Sequence, residues 1–261
     1  MTAVPFDALA AEYDDAFTRS AVGGVMRAAV WNIIDPLFQP GAEVLEMSCG
    51  TGEDALHLAR RGVRVRATDI SSGMLAQASA KARHFGQAER VRVQRLDLNA
   101  ADWALDSSGA FDGALSNFGG FNCVADLPAA AAKLAHLLKP GAALALCVMG
   151  PWVPWEWGWF LLEGKPRKAF RRLPGVTEWR GIKIFYPSLR ALRSALAAHF
   201  DFQSATAVGT LVPPSYAEAW AQRHPNALAL LNRWERRFER SALLVALADH
   251  YLAIFKRKDV R

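Results

Sequence analysis

Cysteine is scarce in this chain of 261 residues: Cys49, Cys123 and Cys147 lie far apart with no CxxC spacing, which excludes a disulfide framework and a structural zinc site. No apolar run reaches the roughly 18 residues that a membrane-spanning helix needs. The opening MTAVPFDALAAEYDD has no basic segment followed by an apolar one, so a soluble, unexported protein of the reducing cytoplasm is expected. Charged residues make up only 21% against 52% apolar, a balance that excludes disorder, collagen-like repeats and a polar linker. Internal repeats and low-complexity tracts are also missing, so the chain reads as one array of elements.

What is present is a local excess of positive charge. Of a net +6, the segment from Lys165 to Arg193 holds nine basic residues and one acidic residue, Glu178, for a local +8, and the remainder is near −2. Such a stripe suits a nucleic acid, a membrane surface or an acidic small substrate, and equally a solvated helix face. Lys165, Arg167, Lys168, Arg171 and Arg172 are expected on overlapping faces of one helix, with Phe170 and Leu173 turned inward.

Val22, Met26, Val30, Ile33 and Leu37 recur at steps of three and four, the spacing of an amphipathic helix ending near Pro40-Gly41. The period then changes. The strand runs EVLEMS, VRVRATDIS, VRVQRLDL, FDGALSNFG and ALALCVMG follow, with helices expected from Glu53 to Arg61, from Ser72 to Phe85 and over DLPAAAAKLAHLLKPG. Asp126 reads as the N-cap of the last helix, with Pro128 in its first turn. Strands alternating with helices predict βαβ crossovers, hence an α/β fold with an open, mainly parallel sheet.

After Gly150 the rhythm breaks. A hairpin around VTEWRGIKIFYP, a helix over SLRALRSALAAHF, a sixth strand over FDFQSATAVG, a helical stretch from Pro213 to Ala248 and a last, antiparallel strand HYLAIFKRK are expected. Ligands of open parallel sheets bind beyond the carboxyl ends of the strands. The division that follows is N-terminal helices over 1–42, a cofactor-binding core over 43–150, a cap insertion over 151–187, a core helix and strand over 188–210, a helical cap insertion over 211–249 and a final core strand over 250–261.

The strongest chemical signal is VLEMSCGTGEDALHLA, an apolar strand, a tight glycine turn and a helix opened by Glu53 and Asp54. Gly50 and Gly52 let the backbone turn sharply and approach a ligand. Gly50 to Ala55 also fits the loose dinucleotide fingerprint G-x-G-x-x-A. Glu46 at the strand end suits an ammonium better than a pyrophosphate, and Glu53 and Asp54 repel a phosphate at that helix end. Asp69 ends the second strand, seventeen positions after Gly52, where a carboxylate can take both ribose hydroxyls, and Asp97 ends the third. The plainer readings are that Asp69 caps the helix near Ser72 and Asp97 caps a turn at Asn99.

With LEMSCGTG, ATDISSGML, LDLN, FDGALSNFGGFN and LKPG in place, the sequence resembles the class I S-adenosylmethionine-dependent methyltransferases over residues 13 to about 150 and the final strand. The resemblance implies a Rossmann-like sheet and S-adenosylmethionine as cofactor, with S-adenosylhomocysteine as product. It further implies Glu46, Gly50 and Gly52 along the methionine moiety, with Ser48 where the family has its first glycine. Asp69 would hold the ribose, with Ile70 after it; Met74 would flank the adenine, and Asp97 and Leu98 would meet its amino and ring nitrogens. Asn117 and Phe118 would border the transferring methyl group, and Tyr13 and Arg27 would lie near the cofactor. Against these stand a core role for Met74 and a solvated one for Arg27.

A sulfonium methyl is already electrophilic, so the protein must align the acceptor and exclude water, and a base is needed only for acceptors of high pKa. His250, which begins the last strand on the ligand side, is the first candidate base, and Glu156 inside the tryptophan-rich PWVPWEWGWF is the second. Those tryptophans either stack on a planar or cationic substrate or plug the cap onto the sheet. Tyr216 is a further pocket candidate, RWERRFER reads as a salt-bridged solvated helix, and His57, His84, His136, His199 and His224 read as structural.

The expected activity is methyl transfer by in-line displacement to a small-molecule acceptor, acidic or planar aromatic, at oxygen or nitrogen rather than carbon, without metal, nucleic acid or membrane. Alternatives are an RNA or protein methyltransferase using residues 165–193, a nicotinamide-dependent oxidoreductase, and a non-catalytic cofactor-binding protein.

Overall fold

A computed structural model describes residues 5–105 and 110–259; positions 1–4, 106–109 and 260–261, which fall within the expected divisions 1–42, 43–150 and 250–261, lie outside the described residues. The first long helix, α1 (Ala21–Ile34), is N-capped by Ser20, whose Oγ accepts the Gly23 N–H. The remote carboxylate of Glu218 accepts the Ala21 and Val22 N–H groups, so two more orphan donors of the helix start are satisfied from across the fold.

The alternating array follows as β1 (Glu43–Met47), α2 (Glu53–Arg60), β2 (Arg64–Asp69), α3 (Ser72–His84), β3 (Val91–Arg95), β4 (Phe111–Ser116), α4 (Leu127–Leu137) and β5 (Leu138–Met149). Asp126 caps α4 through the Ala129 N–H, with proline in the first turn, as its sequence predicts. The fifth strand differs from expectation. It begins at Leu138 rather than Ala143, because Leu138 pairs with Phe111 and the LKPG stretch is carried into the strand with a register shift after it.

The remainder comprises α5 (Pro154–Leu162), α6 (Pro166–Ala169), the hairpin β6 (Val176–Trp179) and β7 (Ile182–Phe185), α7 (Leu189–Leu196), β8 (Phe200–Val208), α8 (Glu218–Arg223), α9 (Pro225–Phe238), α10 (Ala242–Leu247) and β9 (His250–Arg257). The seven-stranded sheet has the order β3-β2-β1-β4-β5-β9-β8, parallel except that β9 runs antiparallel to both neighbours. Strand residues alternate between two cores: Leu45, Met47 and Tyr251 face one, Val44, Leu115 and Leu252 the other.

The order reverses between β1 and β4, so the loops after these strands flank the switch-point crevice. Met149 and Val208 both pair with His250, which sets the ends of β5 and β8 and the start of β9 at one level on that same side. Both helical insertions leave from this level.

The basic run is not the helix its spacing suggests. Gly164 and the Pro174-Gly175 pair leave α6 a single turn, Phe170 and Leu173 are exposed, and Arg172 is buried. Nor do the tryptophans form a buried plug: Trp152 is exposed, and Trp155, Trp157 and Trp159 are half-buried.

Candidate active site

The turn after β1 carries three residues with left-handed backbone: Ser48 at φ 54°, Gly50 at φ 54° and Gly52 at φ 77°. The two glycines serve different ends. A Cβ on Gly52 would fall 2.7 Å from the Ala78 Cβ, so this glycine lets α3 press against the turn. A Cβ on Gly50 would meet nothing within 4 Å, so bare backbone there borders open space. Ser48 keeps the turn with a left-handed backbone that serine seldom adopts.

Glu46 is 1% exposed, and its Oε2 has no hydrogen-bond partner. Burial, followed by the nearby Asp54 charge, pushes its carboxyl well above the ordinary range. An orphaned buried carboxylate oxygen beside an open backbone cradle fits a cationic ammonium. Asp69 lies at the tip of the neighbouring strand. One of its oxygens accepts the Gly50 N–H at 2.9 Å and the other the Ser71 N–H at 2.9 Å. These bonds leave the carboxylate with acceptor capacity for a ribose hydroxyl. Burial raises its carboxyl pKa too. Its helix-cap reading is corrected, because Ser71, not Asp69, caps α3 through the Met74 N–H.

Asp97 is exposed, and its Oδ1 accepts the Asn99 N–H at 2.9 Å, the plain turn-capping contact. Leu98 is buried, with its carbonyl accepting the Trp103 indole N–H. Met74 is buried but belongs to neither main core, and Ile70 is half-buried with its carbonyl held by Arg95.

Sequence reasoning missed the hub of the crevice. Buried Asp54 accepts from Arg27 Nη1 at 2.6 Å, Trp31 Nε1 at 2.6 Å and Asn117 Nδ2 at 3.0 Å. Arg27 is therefore neither solvated nor wholly free: its Nε has no partner, and its guanidinium lies over the Phe118 ring at 5.0 Å. Phe17 meets Phe118 edge-on at 4.9 Å and Tyr13 at 6.4 Å, and burial raises the Tyr13 hydroxyl pKa. A second network, Lys81 with Asp14 and Glu53 at 2.8 Å each and Thr51 Oγ1 donating to Asp14 at 2.5 Å, staples the N-terminal segment to the glycine turn.

On the far side of Phe118 stands His250, ring centroids 5.5 Å apart at 80°. Its Nδ1 lies 3.0 Å from Asp249 Oδ2, close but off hydrogen-bond alignment. Arg172 donates to Asp249 Oδ1, to the Gly150 and Asp249 carbonyls and to Glu156, tying the first insertion to the second. Glu156 is corrected as a candidate base. It is buried, and Arg171 and Arg172 occupy both its oxygens, so it anchors the insertion. Tyr216 packs on Phe160 and Trp159 with its hydroxyl buried and unpartnered, and burial followed by the charges of Glu156 and Asp249 raises its pKa. His57 is structural as expected, bonded to Asp35 at 2.7 Å and stacked on Trp31.

Residues 44–141 match the family model described as "Methyltransferase domain". A demethylmenaquinone methyltransferase of Corynebacterium kroppenstedtii is 31% identical over 144 residues, 54% of this chain and 57% of that protein. A trans-aconitate 2-methyltransferase of Deinococcus radiodurans is 34% identical over 112 residues, 42% of this chain and 39% of that protein. The chain thus spans about half the length of the curated relatives it matches first. Among solved structures, the geranyl diphosphate C-methyltransferase of Streptomyces coelicolor aligns with a TM-score of 0.59 at 16% identity, over 88% of this chain and 76% of that one. The cyclase SpnF aligns with a TM-score of 0.55 at 20% identity, over 98% and 82%. The glycine turn and the first strands of the seven-stranded sheet thus lie in a region, residues 44–141, that is similar to a methyltransferase domain.

Proposed function

We propose that the protein binds S-adenosylmethionine in the crevice between β1 and β4 and methylates a small-molecule acceptor beneath the two insertions. The observation that carries the reading is the unpartnered, buried Oε2 of Glu46 near the end of β1, with the open backbone of Gly50 in the turn that follows and Asp69 at the tip of the next strand, two residues beyond the partner of Glu46. Glu46 would take the ammonium, the free Nε of Arg27 the carboxylate and Asp69 the ribose hydroxyls. Asp97, Leu98, Met74 and Ile70 would border the adenine. When bound, the sulfonium supplies an electrophilic methyl carbon, which lowers the demand on the protein to alignment and exclusion of water.

Phe17, Phe118, Asn117, Tyr13 and His250 supply that alignment around the methyl-transfer side of the crevice. With the cofactor in place, these side chains would hold the acceptor lone pair in line with the methyl group that the sulfonium would supply. His250 is the group poised to take an acceptor proton, with Asp249 against its Nδ1. The relatives named for quinone, aconitate and geranyl diphosphate methylation support a small acceptor. Oxygen or nitrogen remains the proposed atom. The RNA or protein alternative loses support, because Arg172 is buried and Arg171 pairs with the buried Glu156.

Isothermal titration with S-adenosylhomocysteine tests the cofactor assignment: binding is expected, and Asp69→Ala should weaken it by about 1 to 3 kcal/mol. Affinity unchanged in that variant removes the ribose assignment. Labelled methyl transfer to a panel of phenols, amines and carboxylic acids separates an enzyme from a protein that binds the cofactor without transfer.

A further inference from the structure

Leu161 to Lys168, LLEGKPRK, is a run of eight consecutive exposed residues. Leu162 is 91% exposed, Leu161 47%, Phe170 41% and Leu173 48%. The segments that carry them are neighbours: α5 packs on α6, the Trp157 and Phe170 rings lie 6.1 Å apart, and Trp157 and Leu161 are one helical turn apart. Lys165, Arg167 and Lys168 are exposed among them, and Arg171 is 39% exposed. Glu163 is the one acidic residue between Leu161 and Leu173, and it pairs with Lys165 at 2.9 Å. Beneath the patch, the Glu156 pairs with Arg171 and Arg172 fix the platform, so the apolar groups are presented without ordering on contact.

We infer that this face docks the protein on an anionic lipid surface, with Leu161, Leu162, Phe170 and Leu173 entering the headgroup boundary and Lys165, Arg167 and Lys168 meeting acidic headgroups. Charge complementarity selects this occupant. A symmetric contact between two copies would set the basic cluster against itself. A nucleic acid would use the cations but leave the leucines in water. No helix of the described residues is long and apolar enough to cross a membrane, and α5, nine residues long, would lie along the interface rather than through it. The inference revises the sequence expectation of no membrane partner, and it stands independently of the methyltransferase reading.

The test is cosedimentation of the full chain with vesicles of phosphatidylcholine alone and of equal parts phosphatidylcholine and phosphatidylglycerol. Binding to the mixed vesicles only, weakening with salt, is expected. Leu162→Asp should lower it at least tenfold, and Arg167→Gln about fivefold, the equivalent of about 1 kcal/mol per basic residue. Both positions are exposed, and unchanged S-adenosylhomocysteine affinity of each variant, or an unchanged melting temperature where no affinity is measurable, verifies the fold. No binding to mixed vesicles, or binding indifferent to Leu162→Asp, overturns the inference. So does a dimer in sedimentation velocity that Leu162→Asp dissolves, or a salt-sensitive tRNA complex that Arg167→Gln weakens, with vesicles ignored in either case.

Discussion

Gly120 lies so close to Ser48 that a Cβ built on it would stand 2.4 Å from the Ser48 Cβ and 2.8 Å from its Oγ. The side chain that Ser48 adds to the glycine turn is accommodated by the absence of one on the loop after β4. Gly120→Ala is therefore expected to displace the turn, costing about 1 to 3 kcal/mol by overpacking and weakening S-adenosylhomocysteine binding more than tenfold. Ser48→Gly is expected to restore part of that affinity in the double variant, because it removes both the clash and a left-handed serine worth about 1 kcal/mol of strain. Titration calorimetry on the two single variants and the double reads the coupling; purely additive losses would sink the pairing.

Glu46 links binding to protonation. Burial raises its pKa in the folded protein, so the stability it contributes is present below its unfolded pKa and is lost as pH rises through the raised folded value. Glu46→Gln is expected to raise the melting temperature at neutral pH and to weaken S-adenosylhomocysteine by about 1 to 3 kcal/mol. An ammonium favours the ionised carboxylate, so binding by the natural protein should release a proton and tighten with pH up to the raised value. Calorimetry in buffers of different ionisation enthalpy measures that proton directly.

Glu235 is buried in α9 and accepts four backbone N–H groups, from Gly209 at 2.8 Å, Thr210 at 2.9 Å, Leu211 at 2.7 Å and Val212 at 2.9 Å. It folds the loop leaving β8 around a single carboxylate. Glu235→Ala strands these donors and is expected to cost about 3 to 5 kcal/mol in urea denaturation, whereas Glu239→Ala, at the residue that follows the same helix, should cost under about 1 kcal/mol. Equal effects would mean that the loop does not depend on this cap.

Arg172 and its neighbour Arg171 both reach Glu156, yet they should differ sharply. Arg172 is buried between Glu156 and Asp249, while Arg171 is partly exposed. Burial opposes ionisation of Asp249, but its pairing with His250 and Arg172 prevails and holds its carboxyl far below the ordinary range. That contribution to stability is present above the unfolded carboxylate pKa and disappears as pH falls toward the depressed value. Arg172→Met is expected to cost about 3 to 5 kcal/mol at neutral pH and Arg171→Met about 1 kcal/mol or less. Chemical denaturation at neutral and acid pH reads both the difference and its loss in acid.

The strand tips were legible because one sequence feature, an apolar run ending in an acid or amide, recurs at Glu46, Asp69, Asp97 and Asn117 on adjacent parallel strands. The position of His250 at the ligand level followed from the strand direction alone. The groups that hold the crevice were not legible, since they pair across the fold. Asp54 meets Arg27 and Asn117, Glu235 collects the loop after β8, and Arg172 reaches Asp249. Local periodicity carries no record of partners tens of residues away, which is why RWERRFER read as solvated and Glu156 as a free carboxylate. The basic run was misread for a different reason: Gly164 and Pro174-Gly175 outweigh a helical spacing that is otherwise sound.

In the sheet, β9 sits between β5 and β8 although β8 precedes it in the chain. During synthesis β1 to β5 can zip together as they emerge, but β8 has no edge to join until the ribosome has delivered the forty-odd residues after it. A nascent chain stalled within that interval would present β8 unpaired, and chaperone occupancy should peak there.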